Sequence, residues 1–478
     1  MRHPVAHRPS EPPPGGAVAA TIRSVGGDCR PRRCRRLALM VLLVAAPLAA
    51  AEEPQRWLGA SSCASVGCHA AAEAGHAPWQ SALTTWITRD PHAAAARALE
   101  GALAERIVAA IALRDGAPQP PATSHPACIA CHAPAPAAWA RDGVSCEQCH
   151  GPAGEWVVAH TLPGWKTRGN AAGMVDLADP ATCARTCTPC HVGAPPRADG
   201  ATFEVSHDLV AAGHPRLAFE LRSFKQGQPP HWRDRVALAA AGTIPADSVD
   251  PLGEWATGRV VALEAYLDQV ARQAGAGAGP EGVAGTWPEL AAFDCYGCHR
   301  QSVAAADRGQ PVAPSRGRVR LQPAAWALVD IAVPDAAAEL GRLRDGIERD
   351  WWCAPDAPVV RGAVETLATA PRLTGAGPAI RALAERAVAA TDAATWDEAV
   401  VTLSLLEALL DHTRVRGAPA ERTAAAAAAL VDVRRLLAFE ATGTGATRVR
   451  VNSPRGHDPS AVRGALAAAA ARLAELGN

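Results

Sequence analysis

Five times along 478 residues a pair of cysteines is closed by a histidine directly after the second thiol, and this repeat limits what the chain can fold around. The units are Cys63-Ala-Ser-Val-Gly-Cys68-His69, Cys128-Ile-Ala-Cys131-His132, Cys146-Glu-Gln-Cys149-His150, Cys187-Thr-Pro-Cys190-His191 and Cys295-Tyr-Gly-Cys298-His299. Four have C-x-x-C-H spacing, the attachment signature of c-type haem. Thiols at that spacing can add to the two vinyl groups on one porphyrin edge, and the next imidazole then reaches the iron as proximal ligand. The first unit has four intervening residues, which must bulge out if its thiols are to reach the same vinyls. The expectation is five covalent haems, or four if the Cys63 unit is unused.

Zinc knuckles also pair cysteines, but they close a tetrahedral site with a second pair and need no histidine after each. A redox C-x-x-C occurs once, on a thioredoxin-like strand and helix, and is not scattered in five copies. The repeat therefore favours haem. Of the other mature cysteines, Cys183 and Cys353, a disulfide and a free thiol are both open readings.

The repeat lies in a chain expected to be exported. Arg30 to Arg36 (RPRRCRR), the apolar run Leu37 to Ala50 and the alanines before Glu52 read as a secretory signal over residues 1–51, with an over-long n-region. The apolar run falls short of the roughly 20 residues of a membrane span, so no integral membrane segment is expected in the mature chain. The whole chain balances 47 basic against 47 acidic side chains, but eight of the arginines sit in the leader. The remainder is net acidic, which argues against a nucleic-acid groove. A bacterial periplasm is the expected compartment.

Each haem iron wants a sixth ligand. The mature chain offers one Met (Met174) and two Lys (Lys166, Lys225), so histidine must supply most of them. His76, His92, His125, His160, His207, His214 and His231 lie between the first and last units; His412 and His457 lie beyond and read as surface residues. His92 follows Asp90-Pro91 at a helix start. His160 follows the third unit by a short helical stretch. His207 and His214 are seven apart, which would place both on one helix face and let each serve a different haem. With His231, before Trp232, these five are the preferred distal ligands; His76 and His125 stand behind them. Closing every iron with two histidines would make an electron carrier, whereas one empty position would make a catalyst. The histidine count alone does not choose between them.

The segment Gly143-Val-Ser-Cys146-Glu-Gln-Cys149-His150-Gly-Pro-Ala153 resembles the GVxCExCHGP haem segment of the cytochrome c-554 family and its hydroxylamine oxidoreductase-like relatives. Cys187 to Gly193, the run HDLVAAGHPRLAFEL from His207, Pro230-His231-Trp232 and Phe293 to His299 follow in the same order, so the likeness covers roughly residues 57–300. It implies a mostly helical, loop-rich fold around closely spaced haems, some stacked, with His92, His160, His207, His214 and His231 as distal ligands. Relatives tend to carry a second histidine after the last motif, where this chain has His299-Arg300-Gln301. The ammonia-forming nitrite reductases use a proximal lysine, and all five units here end in His. Hydroxylamine oxidoreductase links a tyrosine to its catalytic haem, and only Tyr266 and Tyr296 exist here. The favoured function is electron carriage between redox partner proteins; the alternative is a multihaem oxidoreductase of small nitrogen or sulfur compounds with one five-coordinate iron.

The expected fold is mostly α: a loop-rich pentahaem region over residues 52–300, then an Ala-rich helical bundle over 301–478 that carries no haem motif. Asp250-Pro251 opens a helix to Gln273. Gly275 to Gly285 reads as a linker and Ser302 to Arg316 as a loop. Trp396, Val400, Leu403, Leu406 and Leu410 mark one face of an amphipathic helix. Asp458 and Pro459 cap the last helix. Nine tryptophans in the first region (Trp57, Trp79, Trp86, Trp139, Trp156, Trp165, Trp232, Trp255 and Trp287) are expected to pack against porphyrin.

Overall fold

The computed structural model describes residues 56–477 apart from 73–75, 166–172, 276–286, 296–318, 376–379, 392–394, 439–440, 443–448 and 451–457. The expected signal segment over residues 1–51, Lys166, Tyr296, Cys298, His299, His457, nearly all of the expected Gly275 to Gly285 linker and the expected Ser302 to Arg316 loop lie outside the described residues.

The chain is mostly helical, as its periodicity predicts. Short helices joined by long loops come first: α1 (Ala82–Arg89), α2 (Ala102–Asp115), α3 (Pro126–His132), α4 (Cys146–His150), α5 (Pro180–His191), α6 (His207–Ala211) and α7 (Leu221–Gly227). Their starts are specified locally. Pro126 and Pro180 occupy the first turns of α3 and α5, where no N–H is needed. The Asp179 carboxylate accepts the Thr182 N–H at 2.7 Å, and Glu220 accepts that of Ser223 at 2.7 Å.

The long helix α8 (Pro251–Gly275) begins at Asp250-Pro251, and the Asp250 carboxylate accepts the Gly253 N–H at 3.0 Å. It is buried along most of its length, with Trp255, Leu263, Leu267 and Val270 wholly enclosed. One side packs on α5, and others on α10 (Ala357–Thr369) and α12 (Trp396–Val415), so one helix serves both the Cys-His region and the bundle. Residues 55–478 cluster accordingly as one compact unit. Salt bridges cross the same seam: Arg216 pairs with Asp397 at 2.6 Å and Arg222 with Asp411 at 2.5 Å.

The bundle comprises α9 (Ala337–Arg349), α10, α11 (Ile380–Ala390), α12, α13 (Ala420–Leu436) and α14 (Pro459–Ala474). Asp458 and Pro459 start α14 as its sequence predicts, the carboxylate accepting the N–H groups of Ser460 and Ala461. The α12 reading needs correction. Its expected face, Leu403, Leu406 and Leu410, is buried, but so are Val401, Leu405, Ala408 and Leu409. Neighbours surround this helix, so it forms the middle of the bundle and not one wall. Two-residue strands, β1 (Ala441–Thr442) and β2 (Val449–Arg450), pair antiparallel between α13 and α14. No helix among the described residues is long and apolar enough to cross a membrane.

Candidate functional site

Units two, three and four each close a helix. His132, His150 and His191 are the last residues of α3, α4 and α5, and the two thiols of each unit stand one turn apart on the same face. The longer first unit is not an α-helix. Ala60–Cys63 is a single 3₁₀ turn, and the next residues fold back so that the Cys68 and His69 N–H groups both reach the Ser65 carbonyl, at 2.9 and 3.0 Å. Of the fifth unit, Cys295 is described, and its thiol is raised first by burial.

Loops then bring a second histidine opposite each of the four described unit histidines. The ring centroids of His69 and His160 are 6.2 Å apart, those of His191 and His92 6.1 Å, those of His132 and His214 6.3 Å, and those of His150 and His231 6.4 Å. These separations exceed the roughly 5 Å at which two imidazoles would share a direct N–H···N bond. Two imidazoles bound on opposite sides of one metal ion, each through a bond of about 2.0–2.1 Å, would have centroids about 6.3 Å apart. All four pairs match that figure.

The tautomers also suit metal binding. The Nδ1 atom of His69 donates to the Trp79 carbonyl at 2.7 Å, and that of His132 to the Ala95 carbonyl at 3.1 Å. His160 and His214 do the same toward Trp156 (3.3 Å) and Pro215 (2.7 Å), and the His231 ring bonds to the Pro229 backbone. A proton held at Nδ1 leaves the Nε2 lone pair for a metal. His92 differs, because its Nδ1 partner is the Asp90 carboxylate at 3.0 Å. Burial, followed by the neighbouring His231, His69 and His160, lowers His150 to about 4; burial with His92 and His132 lowers His191 to about 4. Burial lowers His132, His214 and His231 as well. These rings are held neutral, the form that ligates.

The units touch in a definite order. The Cys63 and Cys146 thiols meet, joining the first unit to the third, and this contact lowers Cys63. Cys131 and Cys190 likewise join the second to the fourth. Cys149 is pushed up to about 12 by burial, and it senses Asp90, Cys183 and Cys190, which puts the third unit beside the fourth. The units thus run first, third, fourth, second. A cavity of about 2800 Å³ opens along the first and third units and their distal histidines, several times the size of a site for one small molecule. Trp79, Trp86, Trp156, Trp165 and Trp232 line it. Trp255 departs from the expected role, and Trp139 and Trp287 have protein partners of their own. Trp255 lies in the bundle core with its Nε1 donating to Ser404 Oγ at 3.0 Å, Trp139 covers Gly59, and Trp287 packs edge-on to Phe293 with its Nε1 on the Trp351 carbonyl.

Four of the five preferred distal histidines, His92, His160, His214 and His231, are thus each brought opposite a unit histidine. His207 and His214 do not share a helix face. α6 stops at Ala211 because Gly213 turns the chain at φ +114°, and the His214 N–H folds back on the Leu209 carbonyl at 2.9 Å. His207 begins α6 and gives its backbone N–H to Glu289 at 2.7 Å, in the segment leading to Cys295. His160 sits on a 3₁₀ turn, Ala159–Thr161, and not on a regular helix. The four pairs use neither His76 nor His125. His125 is buried and caps α3, its Nδ1 accepting the Ala127 N–H at 3.1 Å. His412 is partly buried on α12 and not a simple surface residue. The Cys183 thiol hydrogen-bonds to Cys187 and Cys353 is exposed; no disulfide links them.

Two supporting residues escape a motif search. Glu147, inside the third unit, is 2% exposed and accepts the N–H groups of Leu58 (3.0 Å), Gly59 (2.8 Å) and Ala153 (2.7 Å), tying that unit to the chain before the first. Asp90 is the other. The only signal for either was an acidic residue adjoining a ligand motif. Among the described residues no three or more His, Cys, Asp or Glu gather as a bare metal site; the histidines come in twos. No protein-family model, characterised protein or solved structure matches this chain.

Proposed function

We propose that this chain is an exported, periplasmic multihaem c-type cytochrome that carries electrons between redox partner proteins, akin to the cytochrome c-554 and hydroxylamine oxidoreductase-like group. The observation that carries the reading is the set of four histidine pairs, each with one member directly after a cysteine pair and the other distant in sequence, at separations that would let both bind one metal ion.

The residues fit haem c. Cys63 and Cys68, Cys128 and Cys131, Cys146 and Cys149, and Cys187 and Cys190 would hold the porphyrins. His69 with His160, His132 with His214, His150 with His231 and His191 with His92 would bind the irons. Cys295, Cys298 and His299 would hold a fifth haem, with His207 the distal candidate because its backbone is fixed to the segment before Cys295. Haem bound in this way supplies reversible one-electron exchange at iron. The chain's own part is to orient the imidazoles through their Nδ1 partners. Two histidines per iron disfavour substrate binding at those four units, so the oxidoreductase alternative would have to act at the fifth. The thiol contacts of the first unit with the third and of the second with the fourth, and the electrostatic proximity of Cys149 to Cys190, support a row running first, third, fourth, second.

A pyridine haemochrome assay and carbon monoxide test this. Five haems per chain are expected, with little change when carbon monoxide is added to the reduced protein, whereas His214→Ala should create one haem that binds it. Thiol-bound zinc in place of haem would overturn the reading. Carbon monoxide binding to one wild-type haem in five would favour the oxidoreductase.

A further inference from the structure

The His92 ring differs from the other distal rings in what holds its far side. Asp90 Oδ1 lies 3.0 Å from His92 Nδ1, and the same oxygen accepts the His92 backbone N–H at 3.0 Å. The carboxylate is 9% exposed, so water screens it poorly. Pro91 fixes the backbone between the two residues, at the start of the 3₁₀ turn Pro91–Ala94. The Asp90 charge is also felt at His231 and Cys149 of the neighbouring unit, and Asp90 lines the large cavity. It therefore sits where the third and fourth units meet, in the middle of the row.

A carbonyl and a carboxylate do different things to an imidazole bound to metal. Both fix the ring, but the carboxylate also draws the Nδ1 proton toward itself and makes the ring a stronger donor. Stronger donation and a nearby negative charge both favour ferric over ferrous iron. Resting on the haem reading above, we propose that Asp90 is a positioning residue that sets the potential of the His92–His191 haem, making this site harder to reduce than a backbone-anchored ligand would. An electron passing between the third and second units would have to cross this site, so Asp90 also controls how evenly the row shares its electrons.

The test is a spectroelectrochemical titration of the intact haem-loaded protein, with electron paramagnetic resonance on the same samples. Asn at position 90 can still accept from Nδ1 but is neutral. Asp90→Asn is expected to raise one midpoint by about tenfold in the reduced-to-oxidised ratio, or about 59 mV, and to alter one low-spin ferric signal. Asp90→Glu should return both toward wild type. Asp176→Asn, which removes a different carboxylate lining the cavity, controls for charge alone. If Asp90→Asn moves no midpoint further than Asp176→Asn, the inference is overturned. A high-spin signal in Asp90→Asn that Asp90→Glu also shows would reduce Asp90 to a backbone cap and overturn it equally. Haem content separates this from the function itself: protein without haem defeats both, whereas five haems with unmoved midpoints defeat only the role of Asp90.

Discussion

The imidazole planes of His69 and His160 lie 11° from parallel, while the three other pairs cross at 74° to 87°. The cause is local. His160 is boxed by the edges of Trp156 and Trp165, and His69 by that of Trp79. Each ring is also pinned through Nδ1 to a carbonyl.

With haem bound as proposed, this difference should be visible in the ferric protein. Parallel imidazole planes split the iron d orbitals along one direction, whereas crossed planes cancel each other's effect and leave two orbitals nearly degenerate. Low-temperature electron paramagnetic resonance should therefore show one rhombic low-spin species from the first unit. Three strongly anisotropic species, each dominated by a single low-field feature, should come from the second, third and fourth. His160→Ala should abolish the rhombic species alone.

Gly143 lies three residues before Cys146 with φ +67°, and a Cβ there would stand 2.8 Å from the His92 carbonyl. That carbonyl also accepts the Val144 N–H at 3.2 Å. Gly143→Ala should cost about 1–3 kcal/mol through backbone strain alone, and should shift the loop that presents His92. Chemical denaturation would measure the first effect. Loss of one low-spin haem signal would report the second.

Glu147→Ala should remove a buried acceptor from three backbone N–H groups. A buried donor left without its partner costs about 1–3 kcal/mol, so a loss of about 3 kcal/mol or more is expected. It should be read as a lower denaturation midpoint at unchanged slope. Glu147→Gln keeps one acceptor oxygen and should lose less.

His125 gives stability a pH dependence. Burial lowers its pKa below the usual 6.5, and its neutral ring accepts the Ala127 N–H at the start of α3. As pH falls below about 6.5 the unfolded ring takes a proton before the folded one does. Its contribution is therefore complete above about 6.5, declines as pH drops toward the lower folded value and then levels off. Asn is a good helix cap that does not titrate. In His125→Asn this part of the acid slope should vanish from denaturation curves between pH 7 and 5.

The Cys-His units were legible in the sequence because they are local. Two thiols and an imidazole within one helical turn need nothing else in the chain to be recognised, and Asp250-Pro251 and Asp458-Pro459 announce their helices in the same way. Which histidine answers which unit is not local. His92 stands before the second unit yet faces His191 of the fourth, and His160 turns back to His69 of the first. Periodicity also misassigned His214, because Gly213 breaks the helix that a spacing of seven suggests. Trp255 reads in sequence as part of the Cys-His region, but α8 carries it into the bundle. The sequence by itself determined the five Cys-His units, from which the haem proposal starts, and the mostly helical class, since both rest on residues within a few positions of each other. Tertiary structure alone decided the pairing of histidines, the order of the units and the carboxylate behind His92, because these depend on how loops far apart in the chain close over one cavity.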